Sequence, residues 1–276
     1  MNLVVLGHCA SARTLQELAA LTGARTIESI HPQAHRLVAA QPDTGVAALC
    51  RQAGLDYAFV PAGRRLSDFG LFVTDMDSTL INIECIDEIA DMLGLKAEVA
   101  AITEAAMRGE LEFSASLARR VALLAGLEES ALERVYEERL RLNPGAEALL
   151  AGLHQAGVKT MLVSGGFTYF TDRLQTRLGF DHAHANQLEV ANGRLTGRVI
   201  GPIVDGAAKA NHLLRLKAKL DLAPYQTMAA GDGANDIPMF NAAGFRVAYQ
   251  AKPALRPVAD CCLDHTGLDS ILHLFA

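Results

Sequence analysis

Apolar and polar positions follow two regimes along the chain. Up to about residue 60 the elements are short: an apolar run at 3–6, helical spacing over 14–21, strand-like segments at 26–30 and 36–39, helical spacing again over 46–54, and an apolar run at 57–60. The resulting β-α-β-β-α-β order predicts a small ferredoxin-like α+β domain over residues 1–66. Pro61-Ala62-Gly63-Arg64-Arg65 then mixes helix-breaking residues with charge, the composition of a linker.

From residue 71 the pattern changes to apolar strands, each followed by a longer amphipathic helix. Strands are expected at 71–74, 160–164, 227–230 and 245–248, and helices at 167–178, 209–220 and 237–242. Such alternation predicts a doubly wound α/β core, with a parallel sheet covered by helices on both faces, over residues 67–82 and 144–276. The intervening residues 83–143 carry apolar positions every three or four residues (Ile86, Ile89, Ala90, Leu93; Leu117, Val121, Leu124). They read as a helical cap inserted at the carboxyl edge of the sheet, where parallel sheets form their ligand crevice.

Composition narrows the function classes. Half of the 276 residues are apolar and a fifth are charged, as in ordinary folded chains. A net charge of −6 leaves no basic footprint for nucleic acid. No apolar run reaches the roughly 18–20 residues that span a bilayer, and the first residues lack the basic start of a secretory signal, so a cytoplasmic protein is expected. The cysteines, Cys9, Cys50, Cys85, Cys261 and Cys262, are odd in number and include no CxxC pair. They read as small core residues rather than disulfide partners, zinc ligands or a catalytic thiol.

Candidate chemistry sits where strands end. Leu71-Phe72-Val73-Thr74-Asp75-Met76-Asp77-Ser78-Thr79 closes an apolar strand with two carboxylates two residues apart, which strand alternation would direct to one side. Taken alone, this is equally a turn or a helix cap built from Asp, Ser and Thr. Ala229-Ala230-Gly231-Asp232-Gly233-Ala234-Asn235-Asp236 ends a second strand with two more carboxylates and an amide. Acidic groups converging at strand ends repel one another unless a hard divalent cation neutralises them. Magnesium fits, because it keeps waters and phosphate oxygens as ligands; a Gly/Asp/Asn-rich turn is the plainer alternative. Ser164-Gly165-Gly166, expected just before a helix, offers a hydroxyl and unobstructed backbone N–H groups, and Lys209 opens another helix. Each is weak in isolation.

Together these segments occur in the order found in the haloacid-dehalogenase-like phosphatases, and the chain resembles that family from about residue 69 to its end. Within it, Glu84-Cys85-Ile86-Asp87-Glu88-Ile89-Ala90 and Phe113-Ser114-Ala115-Ser116-Leu117-Ala118-Arg119-Arg120-Val121 are similar to the phosphoserine phosphatases. The resemblance implies hydrolysis of O-phospho-L-serine to L-serine and phosphate, the last step of serine biosynthesis. Asp75 would be the nucleophile and Asp77 the general acid and base. Magnesium would be held by the Asp75 carboxylate, the Asp77 backbone carbonyl and Asp232, with Asp236 supporting it from behind. Ser164, the Gly165 amide and Lys209 would bind phosphate oxygens, with Asn235 nearby. Glu84 would take the substrate ammonium and Arg120 its carboxylate, and Phe113 and Met107 would wall the pocket. Each insert residue also has a plainer reading: Glu84 as a helix cap, Phe113 and Met107 as bundle packing, Arg120 as a solvated helix face. Transfer of the phosphoryl group to another hydroxyl, or an inert amino-acid-binding regulator, are the alternative functions. The amino-terminal segment is similar in element order to ACT-like regulatory domains, and a homodimer is a further expectation.

Overall fold

A computed structural model describes every residue except Cys9, Arg108 and Gly109, and for Met107 the backbone only. The first elements are β1 (Asn2–Leu6), α1 (Ala12–Thr22), β2 (Thr26–His31), β3 (Ala34–Val38), α2 (Gly45–Ala53) and β4 (Asp56–Val60). After β5 (Leu71–Thr74) come four helices, α3 (Cys85–Asp91), α4 (Lys96–Met107), α5 (Phe113–Ala122) and α6 (Ser130–Arg134). The chain then runs through α7 (Ala146–Gln155), β6 (Lys159–Phe167), α8 (Thr168–Leu178), β7 (His182–Ala191), β8 (Arg194–Ile200) and α9 (Gly206–Lys219). It ends with β9 (Thr227–Gly231), α10 (Ile237–Ala242), β10 (Phe245–Tyr249), β11 (Cys261–Leu263) and α11 (Ser270–Leu274).

The strands form one eleven-stranded sheet in the order β2-β3-β1-β4-β11-β10-β9-β5-β6-β7-β8. From β11 to β7 neighbouring strands are parallel. The four strands expected for the core, β5, β6, β9 and β10, are parallel, and the sheet as a whole is mixed. β8 turns back against β7 as a hairpin, and the amino-terminal strands β2-β3-β1-β4 pair antiparallel among themselves. Strand alternation divides the core residues between the two faces. Leu71, Val73, Met161 and Val163 pack with Leu213, Leu216, Met239 and Phe240 of α9 and α10. Phe72, Leu162 and Met228 face the opposite way, into a layer that continues through Leu149 and Leu153 of α7 into the insert.

The segment 61–65 does not end one sheet and begin another, because β4 pairs antiparallel with β11 through Ala58↔Cys261 and Tyr57↔Cys262. One buried carboxylate fixes this seam. Asp56 accepts from the backbone N–H groups of Asp264 (2.9 Å), His265 (3.0 Å) and Thr266 (2.9 Å) and from the Thr266 hydroxyl (2.7 Å). His31 stacks on His273 across the same boundary, with ring centroids 4.0 Å apart.

The helical insert is tied to the core at both ends. Ile81 and Leu142 form an antiparallel bridge, and the Asn143 amide donates to the carbonyls of Thr79 (2.8 Å) and Ile81 (3.1 Å). Farther out, the Gly126 and Leu195 backbones bond across to the β8 side, which docks the insert on the β7–β8 hairpin. Among the described residues no helix is long and apolar enough to cross a membrane.

Removing the Asp56 carboxylate leaves several buried donors without an acceptor. Asp56→Ala is therefore expected to lower the unfolding free energy by about 3 kcal/mol in urea denaturation. A loss below about 0.5 kcal/mol would show that the seam does not depend on this carboxylate.

Candidate functional site

Four strand ends meet at one edge of the sheet, over a cavity of about 450 Å³. β5 stops at Thr74, so Asp75 and Asp77 lie beyond the strand and are not set on one side by strand alternation. The connecting loop turns both toward the cavity instead. Asp75 is held from three sides. Its Oδ1 accepts from the Met76 N–H (2.7 Å), and its Oδ2 accepts from Lys209 Nζ (2.6 Å) and Asn235 Nδ2 (3.2 Å).

Lys209 lies in the first turn of α9 with only 1% of its side chain exposed, and its ammonium also contacts Asp236 Oδ1 at 2.8 Å. Burial alone would favour the neutral amine, but Asp236 and Asp75 outweigh it and hold the proton above the ordinary lysine range. Asp236 is fully committed in turn: Oδ2 accepts from the N–H groups of Asp232 (3.1 Å) and Gly233 (3.3 Å). A Cβ on Gly231 would lie 2.4 Å from that carboxylate, so the Gly-Asp-Gly turn needs a glycine there. Burial, then the proximity of Asp75, raises the proton affinity of both Asp232 and Asp236.

The Asp75, Asp232 and Asp236 carboxylates each offer an oxygen, and these lie within 4.8 Å of one another. Oxygen-only donors gathered this closely and buried fit a hard divalent cation. The Asp77 carboxylate is not in that group. It faces the Cys85 thiol and backbone N–H at the start of α3, and its Oδ1 is buried without a partner among the described residues. Burial first, then the charges of Glu84 and Asp75, lifts its proton affinity well above the usual carboxylate range.

Ser164, Gly165 and Gly166 belong to β6, which runs on to Phe167 through an irregular register. The segment stands just before a helix, as expected, with α8 starting at Thr168; the strand runs one residue past Gly166. The glycines have a steric role. A Cβ on Gly166 would come within 3.1 Å of Asp77 Oδ2, and one on Gly165 within 3.0 Å of the Phe113 ring.

The insert supplies the opposite wall. Glu84 stands at the N-cap position of α3, yet its side chain makes no cap hydrogen bond. It instead accepts from Ser78 Oγ at 2.7 Å, and Ser78 adopts a left-handed φ of 56° to present that hydroxyl. Phe113 and Arg120 both line the cavity, so neither is bundle packing alone nor a solvated face. Arg120 Nη1 lies 3.5 Å from Thr103 Oγ1, and among the described residues no carboxylate pairs with it. Met107 closes α4, but its side chain lies outside the described residues.

Two contributors were missed by sequence reasoning. Lys252, in an Ala-Lys-Pro segment after β10, brings its ammonium within 3.0 Å of Asp232 Oδ2 and 3.8 Å of Glu84 Oε1. Ser116 lines the cavity from α5. Its helical spacing from Phe113 and Arg120 was the signal available for it.

Comparison with known proteins agrees with this geometry. The haloacid dehalogenase-like hydrolase family matches residues 72–241, and a domain of unknown function (DUF4072) matches residues 3–45. A phosphoserine phosphatase of Albidiferax ferrireducens is 55% identical over 216 residues, covering 76% of this chain and 91% of that relative. The crystal structure of a probable phosphoserine phosphatase from Vibrio cholerae has a TM-score of 0.87 at 38% identity, over 99% of this chain and 86% of that one. A phosphoserine phosphatase structure representing a phospho-aspartyl intermediate analogue has a TM-score of 0.71 at 40% identity, over 75% of this chain and 99% of that one. The chain is a member of the haloacid dehalogenase-like hydrolases, and within them it belongs to the phosphoserine phosphatases.

Proposed function

We propose that the protein hydrolyses O-phospho-L-serine to L-serine and phosphate, with magnesium bound and with Asp75 carrying the phosphoryl group in between. The observation that carries this reading is one cavity with two unlike ends. A lysine- and asparagine-held carboxylate, Asp75, stands at its floor, and Glu84 and Arg120 stand at the insert side. Such a pocket can hold a phosphate, an ammonium and a carboxylate at once.

Asp75 attacks phosphorus, and the bond to the seryl oxygen breaks as the new P–O bond forms. Asp77, whose burial favours the protonated form, gives its proton to that departing oxygen, and L-serine leaves neutralised at the hydroxyl. In the second displacement Asp77 takes a proton from water, which attacks the acyl phosphate and frees Asp75. The Ser164 hydroxyl, the Gly165 N–H and Lys209 hold the equatorial oxygens, where charge is spread in a loose transition state, and Asn235 keeps the Asp75 carboxylate in line. Asp75, the Asp77 backbone carbonyl and Asp232 would hold magnesium, with Asp236 fixing the loop behind them; when bound, the ion neutralises the nucleophile and substrate charge. Glu84 receives the substrate ammonium and Arg120 forks to its carboxylate. Phe113 closes the apolar side.

The same reading divides the chain into an ACT-like domain at 1–66, a catalytic core at 67–82 and 144–276, and a substrate-selecting cap at 83–143. The order β2-β3-β1-β4 with α1 and α2 on one face supports a ferredoxin-like assignment for the first of these. On this proposal the enzyme acts in the cytoplasm, on a small molecule.

Steady-state assays test this. With magnesium, phosphoserine should yield phosphate and L-serine in equal amounts; chelation should abolish turnover and magnesium restore it. Arg120→Ala should raise KM for phosphoserine by about 10–100-fold, the size of a lost hydrogen bond to a charged group, and leave p-nitrophenyl phosphate nearly unaffected. Equal losses on both substrates would remove Arg120 from the pocket, and turnover surviving chelation would contradict the metal requirement.

Lys209 gives an equilibrium test of the charge balance. Lys209→Met strands two buried carboxylates and should cost the metal-free protein about 3–5 kcal/mol in urea denaturation. Magnesium should recover part of that loss; a variant as stable as wild type without metal would contradict the account.

A further inference from the structure

α5 presents one stripe to the cavity: Phe113, Ser116, Leu117 and Arg120, spaced i, i+3, i+4 and i+7. Phe113 and Leu117 supply apolar wall and Arg120 supplies charge. Ser116 is different. Its residue is 1% exposed, and its hydroxyl has no hydrogen-bond partner among the described residues.

Three helical hydroxyls in this protein settle on their own backbone. Thr22 Oγ1 donates to the Leu18 carbonyl at 2.7 Å, Thr103 to Val99 at 3.1 Å and Thr176 to Asp172 at 3.0 Å, each one turn back. Ser116 has the same option in the Glu112 carbonyl, which accepts the Ser116 N–H at 2.9 Å, and its hydroxyl does not use it. Buried polar groups in native proteins are almost always satisfied, and an orphan that lines a ligand cavity points to a partner brought by the ligand. The nearest charge on the stripe identifies that partner: Arg120 Nε lies 3.4 Å from the Ser116 carbonyl, one turn along the same face.

We infer that Ser116 is a specificity-determining residue, whose hydroxyl donates to the same substrate carboxylate that Arg120 binds. This rests on the reading of Arg120 given above. The guanidinium supplies charge and the hydroxyl fixes which way the carboxylate plane lies, so the pair distinguishes an amino-acid phosphoester from an amine phosphoester of equal length.

O-phosphoethanolamine is the direct probe, since it lacks only the α-carboxylate. Holoenzyme carrying Ser116→Ala should lose about tenfold in kcat/KM on phosphoserine, mainly through KM, with phosphoethanolamine changed less than twofold; thermal melting checks that the variant is folded. Ser116→Cys, which conserves volume with a weaker donor, should fall between wild type and Ser116→Ala in the ratio of the two substrates, and carries the test alone if the alanine variant does not fold. Equal losses on both substrates, or none on phosphoserine, would overturn the assignment of Ser116 while wild-type discrimination stands. Wild type that does not prefer phosphoserine to phosphoethanolamine would overturn both this inference and the reading on which it rests.

Discussion

The structure depends on how negative charge is held at the carboxyl edge of the sheet. Asp75, Asp232 and Asp236 crowd one buried point, and the Lys209 ammonium bridges two of them at 2.6 and 2.8 Å. Carboxylates this close repel one another, and burial removes the water that would screen them. Lys209 and Lys252 offset part of that charge; a divalent cation is suited to the remainder. Backbone geometry follows from the same requirement, because the Gly231 turn must leave room for Asp236 to collect the N–H groups of Asp232 and Gly233.

This arrangement also separates two carboxylates that are neighbours in sequence. Asp75 is surrounded by donors, whereas Asp77 faces a thiol, a backbone N–H and the glycine floor of β6, with one oxygen unpaired among the described residues. Environments so different suit one group to attack as an anion and the other to carry a proton, the division of labour that two-step ester hydrolysis requires. On the proposed reading the insert contributes recognition rather than chemistry. Its two ends are pinned together by the Ile81–Leu142 bridge and Asn143, and Glu84, Phe113 and Arg120 line the same cavity as Asp75 and Asp77.

Most of the site was legible because its residues punctuate apolar strands. The runs ending at Asp75, Ser164 and Asp232 change abruptly from apolar to polar, and such a change marks a strand end whatever the tertiary context. The β4–β11 junction was not legible: β11 has three residues, and its pairing depends on the buried Asp56 carboxylate more than 200 positions away. The β7–β8 hairpin was hidden for another reason. Its mixed, half-exposed sequence lacks the continuous apolar run of a central strand. Lys252 looks like any surface lysine until the fold sets it beside Asp232, and Ser116 looks like a neutral helix residue until its hydroxyl is found without a partner among the described residues. The same pattern reading gave the wrong cause at Asp77, where the loop after β5, not strand alternation, sets the side chain.

The central claim is that Asp75 itself accepts the phosphoryl group. Rapid acid quenching of the magnesium-loaded enzyme during turnover of isotopically labelled phosphoserine, followed by peptide mass analysis, tests it most directly. The account predicts acid-stable label on the peptide carrying Asp75, lost on treatment with base or hydroxylamine as an acyl phosphate is. Label on another residue, or none on the peptide carrying Asp75 during steady turnover, would contradict it.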